Sequence, residues 1–278
     1  MPRVTVCIPH WQVKVYMQLV LRSIRRHSRA YDVEVIVVDN GSKDDSLDYL
    51  RSVPWIRLIE RPEEVHTNWP GNVFTAWDAG LKAATGEYFI TMHSDVFVKR
   101  DDWLEPFFRE IKRAPHIAGA GAWKLEIEHP LYAFQKHVVG LVTTPLKALI
   151  GRKKSHVKAE KPYPRDYCAM YRTDFLRRNG MSFYGKGGGA GGYTIARQIW
   201  DAGGDTRMIT VPELAEYIYH VAHGTAAVTK KALRHKRAQK KVENKVADLF
   251  EEAWIQDLLA DSDLDREQPA PAVRPAAA

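Results

Sequence analysis

Two cysteines in 278 residues, Cys7 and Cys168, are too few and too far apart for a disulfide framework, and neither sits in a CxxC pair that would hold zinc. They read as reduced thiols of a cytoplasmic protein. Long apolar runs are also missing. The longest, Val138 to Ile150, is interrupted by Thr143, Thr144, Pro145 and Lys147, and is too short and too polar to span a bilayer. The opening MPRVTVCIPHW enters a strand pattern at once, so a signal peptide is not expected. There is no HExxH, which removes the zinc-protease reading of the histidines in YIYHVAH. The glycines of GKGGGAGG are followed by no Lys-[Ser/Thr], which excludes a Walker phosphate loop. Internal repeats are absent, and no known nucleic-acid module is matched.

What is present is an ordinary globular composition, 45% hydrophobic and 27% charged, in a chain long enough for one large α/β domain or two small ones. The formal charge of +7 favours anionic partners such as nucleotides, phospholipid surfaces or nucleic acid. It gathers in GRKKSHVKAEK (151–161) and TKKALRHKRAQKK (229–241), which serve equally well as a solvated loop and a solvated helix face. Aromatic residues do not interleave with the basic run, which weakens a nucleic-acid-binding reading without removing a nucleic-acid acceptor.

Along the chain, RVTVCIP and DVEVIVVDN are β-branched runs flanking a helical pattern over Gln12 to His27. The alternation continues. DDSLDYLRSV reads as a helix, WIRLIER as a strand, GNVFTAWDAGLKAAT as a helix and GEYFITM as a strand, and RDDWLEPFFREIKRA as a helix opened by Asp101-Asp102. Beyond residue 115 the pattern loosens. HIAGAGAWKLEIEH reads as an extended strand, YCAMYRTDFLRRNG as a strand entering a helix, and GKGGGAGGYTIARQIWDAGG as a loop opening a helix that stops at Gly203-Gly204. TRMITVP gives another strand, followed by AEYIYHVAHGT. One long amphipathic helix is expected from Thr229 to about Leu259, carrying Leu233, Val242, Val246, Leu249, Phe250, Ile255 and Leu259. Its stripe suits packing on the domain, a homodimer, or peripheral contact with an anionic membrane. The expected layout is an α/β half over 1–115, a second half of the same domain over 116–228, a basic amphipathic helix over 229–262 and a disordered Pro/Ala-rich tail over 263–278.

In open α/β sheets, ligands bind beyond the carboxyl ends of the strands. Polar residues stand at three such ends: Pro9-His10, Asp39-Asn40-Gly41-Ser42 and His93-Ser94-Asp95. Asp39 with Gly41 equally reads as an Asx turn.

VTVCIPHWQ, VIVVDNGSKDDS and NWPGNVFTAWDAGLKAATGEYFITMHSD together resemble the first half of a family-2 glycosyltransferase of the GT-A fold, well over residues 3 to 110 and more loosely over 165 to 226. The resemblance implies a Rossmann-like, mostly parallel sheet flanked by helices and a nucleotide-diphosphate-sugar donor, with a glycan, lipid-linked or nucleic-acid acceptor. It implies that Pro9, His10, Asp39, Asn40 and Gly41 face the nucleoside, with Asn72, His93, Ser94, Gly191 and Gly192 also on the nucleotide-sugar. Asp95 matches the last residue of the family's Asp-x-Asp, which binds a divalent cation, Mn²⁺ or Mg²⁺, that neutralises the departing diphosphate. His93 replaces the first aspartate, and imidazole suits Mn²⁺ better than Mg²⁺. Related enzymes often carry a histidine near the end of the catalytic domain that faces the metal, and His220 or His223 fits that place. If that segment is extended, alternation sends the two to opposite faces.

The sequence departs from the pattern at the general base. Where inverting members carry an acid at the start of the helix after the acceptor loop, this chain has Gly191 and Gly192. Three readings remain: another acid serves (Glu126, Glu128 or Asp166); the leaving phosphate acts as base in a retaining reaction; or transfer is impaired. The bare N–H groups of a glycine-opened helix also offer an anion or sugar-hydroxyl site, with Lys186 and Arg197 as possible phosphate partners. The basic loop 151–161 is expected to order over a bound nucleotide.

Overall fold

The β-branched runs of the first forty residues become neighbouring parallel strands. β1 (Val4–His10) lies between β2 (Val33–Asp39) and β4 (Tyr88–Met92), and β2 also pairs with β3 (Ile56–Glu60). Every residue of β1 is buried, as expected for a central parallel strand covered on both faces. The structure is a computed structural model and describes residues 1–62, 69–123, 161–185, 191–221 and 236–266.

The crossovers are α1 (Lys14–His27), α2 (Ser46–Ser52) and α3 (Trp69–Ala83). Strand alternation decides which helix meets which side chain. Val4, Val6, Ile8, Val35 and Val37 share a core with Tyr16, Leu19, Val20 and Ile24 of α1. Cys7, Ile36, Val38 and Phe89 face the other way, onto Phe74, Ala76, Trp77 and Leu81 of α3. Two apolar layers thus enclose one sheet.

That sheet continues past β4 into the second half of the chain. β7 (Cys168–Arg172) runs antiparallel to both β4 and β6 (Ile117–Ala122), and β8 (Asp205–Ile209) closes the far edge parallel to β6. The full order is β3-β2-β1-β4-β7-β6-β8. A separate two-stranded ribbon pairs β5 (Val96–Val98) with β9 (Ile218–His220). The remaining helices of this half are α4 (Glu105–Ile111), α5 (Thr173–Arg178), α6 (Gly191–Asp201) and α7 (Val211–Tyr217).

Three expectations are corrected. α4 begins at Glu105, not at Asp101-Asp102. Those carboxylates are engaged elsewhere, Asp101 with His27 at 2.6 Å and Asp102 with Arg100 at 2.8 Å. The first residues of AEYIYH are helical, because Thr210 caps α7 by accepting from the Glu213 N–H and Pro212 sits in its first turn. The C-terminal helix is two helices, α8 (Lys236–Glu251) and α9 (Ala253–Ala260), broken at Glu252, whose backbone is extended.

The stripe on these two helices packs on its own domain. Leu249, Ile255 and Leu258 join the α1 core, and Phe250 stacks on Tyr16 with ring centroids 6.3 Å apart. Arg22, buried in α1, donates to both oxygens of Asp265 (2.9 and 2.6 Å) and to the Leu258 and Leu259 carbonyls (3.1 and 2.5 Å). The segment expected to be loose from residue 263 is therefore held as far as Asp265. No helix among the described residues is long and apolar enough to cross a membrane.

Candidate active site

The apolar strand β4 ends in a turn at His93-Ser94-Asp95, closed by the Val96 N–H donating to the His93 carbonyl at 3.2 Å. The His93 N–H is held by the Tyr167 carbonyl at 2.9 Å. The chain then enters the β5–β9 ribbon, whose register sets Val96 opposite His220 and lets the Val221 N–H donate to the Asp95 carbonyl at 3.1 Å. That pairing puts His220 beside Asp95. Its Nε2 lies 3.5 Å from Asp95 Oδ1, and His93 Nδ1 lies 4.0 Å from the same oxygen. One ligand atom from each of His93, Asp95 and His220 falls within 4.8 Å of the other two.

The aromatic surroundings fix these rings. His93 stacks on Trp77 (centroids 5.6 Å, planes 18° apart) and His220 on Tyr167 (4.7 Å, 10°). Asp95 is buried. Burial lowers the pKa of His93, opposed by the carboxylates of Asp166 and Asp95 and assisted by His220 and Arg165. A neutral imidazole keeps the lone pair a cation needs. Two imidazole nitrogens and one carboxylate oxygen form a donor set suited to borderline divalent ions, so the residues present fit the expected metal.

At the ends of β1 and β2 the structure builds a cross-braced corner. Asp39 accepts from the Gly41 N–H (3.0 Å), the Ser42 N–H (2.9 Å) and the Ser42 hydroxyl (2.5 Å), so the Asx turn offered by the sequence is formed, with Gly41 at φ 77°. Ser46 donates its hydroxyl proton to Asp44, so the 2.9 Å contact between Ser46 Oγ and His10 Nε2 requires the imidazole to donate. His10 is buried with Nδ1 unpartnered among the described residues, and burial lowers its pKa to about 4 against the pull of Asp39 and Asp44. Pro9 lies in β1 and Asn40 donates its N–H to the His10 carbonyl at 2.9 Å. Asn72 is buried in α3, and Ser94 is half-buried in the turn after β4.

The glycines at the start of α6 serve close packing. A Cβ on Gly191 would stand 2.5 Å from the ring of Phe74 and 3.3 Å from Asp166 Oδ2; one on Gly192 would stand 2.8 Å from the Pro164 carbonyl oxygen. The helix start is pressed against α3 and the 164–166 segment, so no side chain fits there without displacing a neighbour. Asp166, in contrast, is brought to the site, since it directly precedes Tyr167, whose carbonyl holds the His93 N–H at 2.9 Å. Arg197 pairs with Asp201 on the helix surface. Glu126, Glu128, Lys186, His223 and the loop 151–160 lie outside the described residues. Lys161, at the end of that loop, pairs with Asp205 at 3.2 Å.

Sequence reasoning missed the supporting residues. Trp77 and Tyr167, the ring partners of the two histidines, look like ordinary core aromatics. Asp78, one residue on, clamps the 182–184 segment by accepting from the Ser182 hydroxyl (2.6 Å) and the Phe183 N–H (2.7 Å). A lone acid on an otherwise apolar helix, Asp78 was the available signal.

A mostly parallel sheet between helix layers, with a polar cluster where the fourth strand ends, defines a GT-A glycosyltransferase fold. Solved structures agree. The mannosyltransferase PcManGT from Pyrobaculum calidifontis superposes with a TM-score of 0.54 at 16% identity, covering 93% of this chain and 73% of that one. TarS from S. aureus gives 0.51 at 15% identity, covering 94% and 75%. The model of glycosyl transferase family 2 matches residues 5–180. The chain belongs to that family.

Proposed function

We propose that the protein transfers a sugar from a nucleotide-diphosphate sugar to a hydroxyl acceptor, using a divalent cation held by His93, Asp95 and His220. The observation that carries this reading is the convergence of those three side chains from two separated segments at one strand end. Such a donor set alone suits several divalent ions and several chemistries; the family membership selects transfer. When bound, the cation acts as a Lewis acid on the diphosphate oxygens and stabilises the leaving group. The Pyrobaculum enzyme of the same fold was solved with GDP-Man and Mn²⁺, which favours Mn²⁺ here too.

The protein's own residues do the rest. Trp77 and Tyr167 hold the imidazole planes, so the ligands need little reorganisation when the cation arrives. The corner of Pro9, His10, Asp39, Asn40 and Gly41 takes the nucleoside. The remaining lone pairs of Asp39 suit an N–H of a base, while His10, neutral because it is buried, braces the corner by donating from Nε2 to the Ser46 hydroxyl oxygen at 2.9 Å.

A thermal-shift panel tests the reading: UDP-glucose, UDP-N-acetylglucosamine and GDP-mannose, each with and without Mn²⁺. A Mn²⁺-dependent rise in Tm with at least one donor is expected, and it should vanish in Asp95→Ala. A rise that survives in that variant would refute the cation assignment.

A further inference from the structure

We propose that Asp166 is the general base of the transfer reaction, standing in for the acid that the start of α6 lacks. This rests on the transferase reading above. Three observations support it. The first is placement: Asp166 Oδ2 lies 3.3 Å from the point where a Cβ at Gly191 would begin, so its carboxylate occupies space that a side chain on that helix would fill. The 164–166 segment and the start of α6 are in contact over both glycines, and a Cβ on Gly192 would meet Asp166 N at 3.1 Å. A carboxylate on the segment facing the helix thus stands beside the helix start.

The second observation is availability. A general base needs free lone pairs pointing at the reacting hydroxyl. Asp39 accepts three hydrogen bonds within its own turn. Asp78 is taken by the 182–184 segment. Asp95 stands between two imidazoles in the cation site. Asp166 is half-buried, and its carboxylate makes no hydrogen bond or ion pair with another described residue. Among the described acids at this strand end, it is the one without such a partner.

The third is proximity to the reacting centre without membership in the cation site. Asp166 directly precedes Tyr167, whose carbonyl accepts from the His93 N–H at 2.9 Å, yet it is not part of the His93, Asp95, His220 cluster. It follows Arg165, whose guanidinium lies over the rings of Trp123 and Tyr163 (5.5 and 5.8 Å). Trp123 is 43% exposed at the end of β6.

The step balances. The acceptor oxygen forms a bond to the anomeric carbon, and its proton passes to an Asp166 carboxylate oxygen. The bond from that carbon to the diphosphate breaks, and its electron pair leaves on the phosphate oxygen. Attack opposite the leaving group inverts the anomeric centre.

The test uses the full chain with Mn²⁺ and the three donors named above, with water as acceptor and nucleoside diphosphate release as readout. Asp166→Asn should keep the Mn²⁺-dependent thermal shift while turnover falls by about 10²–10⁴-fold, the usual contribution of a positioned base. In Asp166→Ala, added sodium formate should restore turnover by about tenfold or more, which a purely structural loss would not allow. The sugar anomer first formed, read by NMR before mutarotation, should be inverted. Undiminished turnover in Asp166→Asn, no formate rescue, or retention at the anomeric carbon would each overturn Asp166 as the base while leaving the transferase reading standing. Absence of any donor-dependent shift in the wild-type protein would sink both.

Discussion

Replacing Gly191 by aspartate would restore the acid that related enzymes carry at the start of this helix, and the structure says the change should damage the protein without adding activity. The Cβ alone would lie 2.5 Å from Cδ1 and Cε1 of Phe74. That ring has little room to turn: Phe74 is buried, with its centroid 6.0 Å from Trp77, which is fully buried and 5.8 Å from Phe183. Forcing a methyl-sized group into a packed core costs about 1–3 kcal/mol, offset by less than the ~1 kcal/mol that replacing a glycine in a helix interior gives, because Gly191 is the first helical residue. Gly191→Ala should therefore lower Tm by roughly 2–8 °C, at about 2–4 °C per kcal/mol for a chain of this size. Gly191→Asp should lower it further, because its carboxyl would hang from a Cβ only 3.3 Å from Asp166 Oδ2, where like charges oppose joint ionisation. The assay is a thermal melt of wild type, Gly191→Ala and Gly191→Asp without ligand, followed by turnover on the preferred donor. Trimming the ring in Phe74→Leu should make the added methyl cheaper, so the double variant Phe74→Leu/Gly191→Ala should lose less than the sum of the singles. A Gly191→Asp protein as stable as wild type and faster in transfer would refute both the packing account and the role given to Asp166.

Two further outcomes follow from buried polar groups. Asp265→Ala leaves the guanidinium of Arg22, 4% exposed, with only the two α9 carbonyls; a loss of about 2–4 kcal/mol is expected in urea unfolding, and a change below about 0.5 kcal/mol would show that the C-terminal segment is not latched there. Burial lowers the His10 pKa from the ordinary 6.5 of a solvated imidazole to about 4, so the unfolded chain takes up the proton first as pH falls. Its stabilising share is whole above about pH 6.5 and drains away down to about pH 4, by up to about 3 kcal/mol. Urea midpoints of wild type and His10→Asn at pH 7 and pH 4.5 check this, and an equal acid loss in both proteins would contradict it.

The first half of the fold was legible because its central strands β1 and β4 are fully buried and its helices one-sided, so composition and period agree for the elements between Val4 and Met92. The second half was less so. β7 pairs antiparallel with two strands at once, an arrangement decided by where the chain re-enters the sheet and not by the apolar run CAMYR itself. The three-residue strands β5 and β9 are too short for any periodic signal, yet their pairing is what selects His220 for the cation site. The histidine was visible; its register opposite Val96 was not. In the same way the missing acid at Gly191 could be read from the sequence, but the cause, a phenylalanine ring from α3 pressed on the helix start, depends on a contact between residues far apart in the chain.

The two walls of the site are built on different principles. After β1 the backbone passes through the left-handed region at Gln12 (φ 56°) and Val13 (φ 66°), a conformation costly for any L-residue and most of all for a β-branched one. It persists because Ser42 accepts from the Gln12 N–H at 2.8 Å and Asp44 accepts from the Val13 N–H at 2.9 Å. Both acceptors belong to the loop that also carries Asp39, so the nucleoside corner is one strained, mutually supported unit, and strain held this firmly is a mark of a preorganised binding surface. The cluster proposed for the cation is braced without such strain, by the Val96 and Val221 N–H groups donating to the His93 and Asp95 carbonyls (3.2 and 3.1 Å) and by the Tyr167 carbonyl accepting from the His93 N–H (2.9 Å). Its ligands come from the end of β4 and the end of β9, aligned by a short ribbon and by stacked rings. On the proposed reading, the strained corner holds the nucleoside and the ribbon-braced cluster takes the cation, so each part of the donor meets a strand end held by a different device.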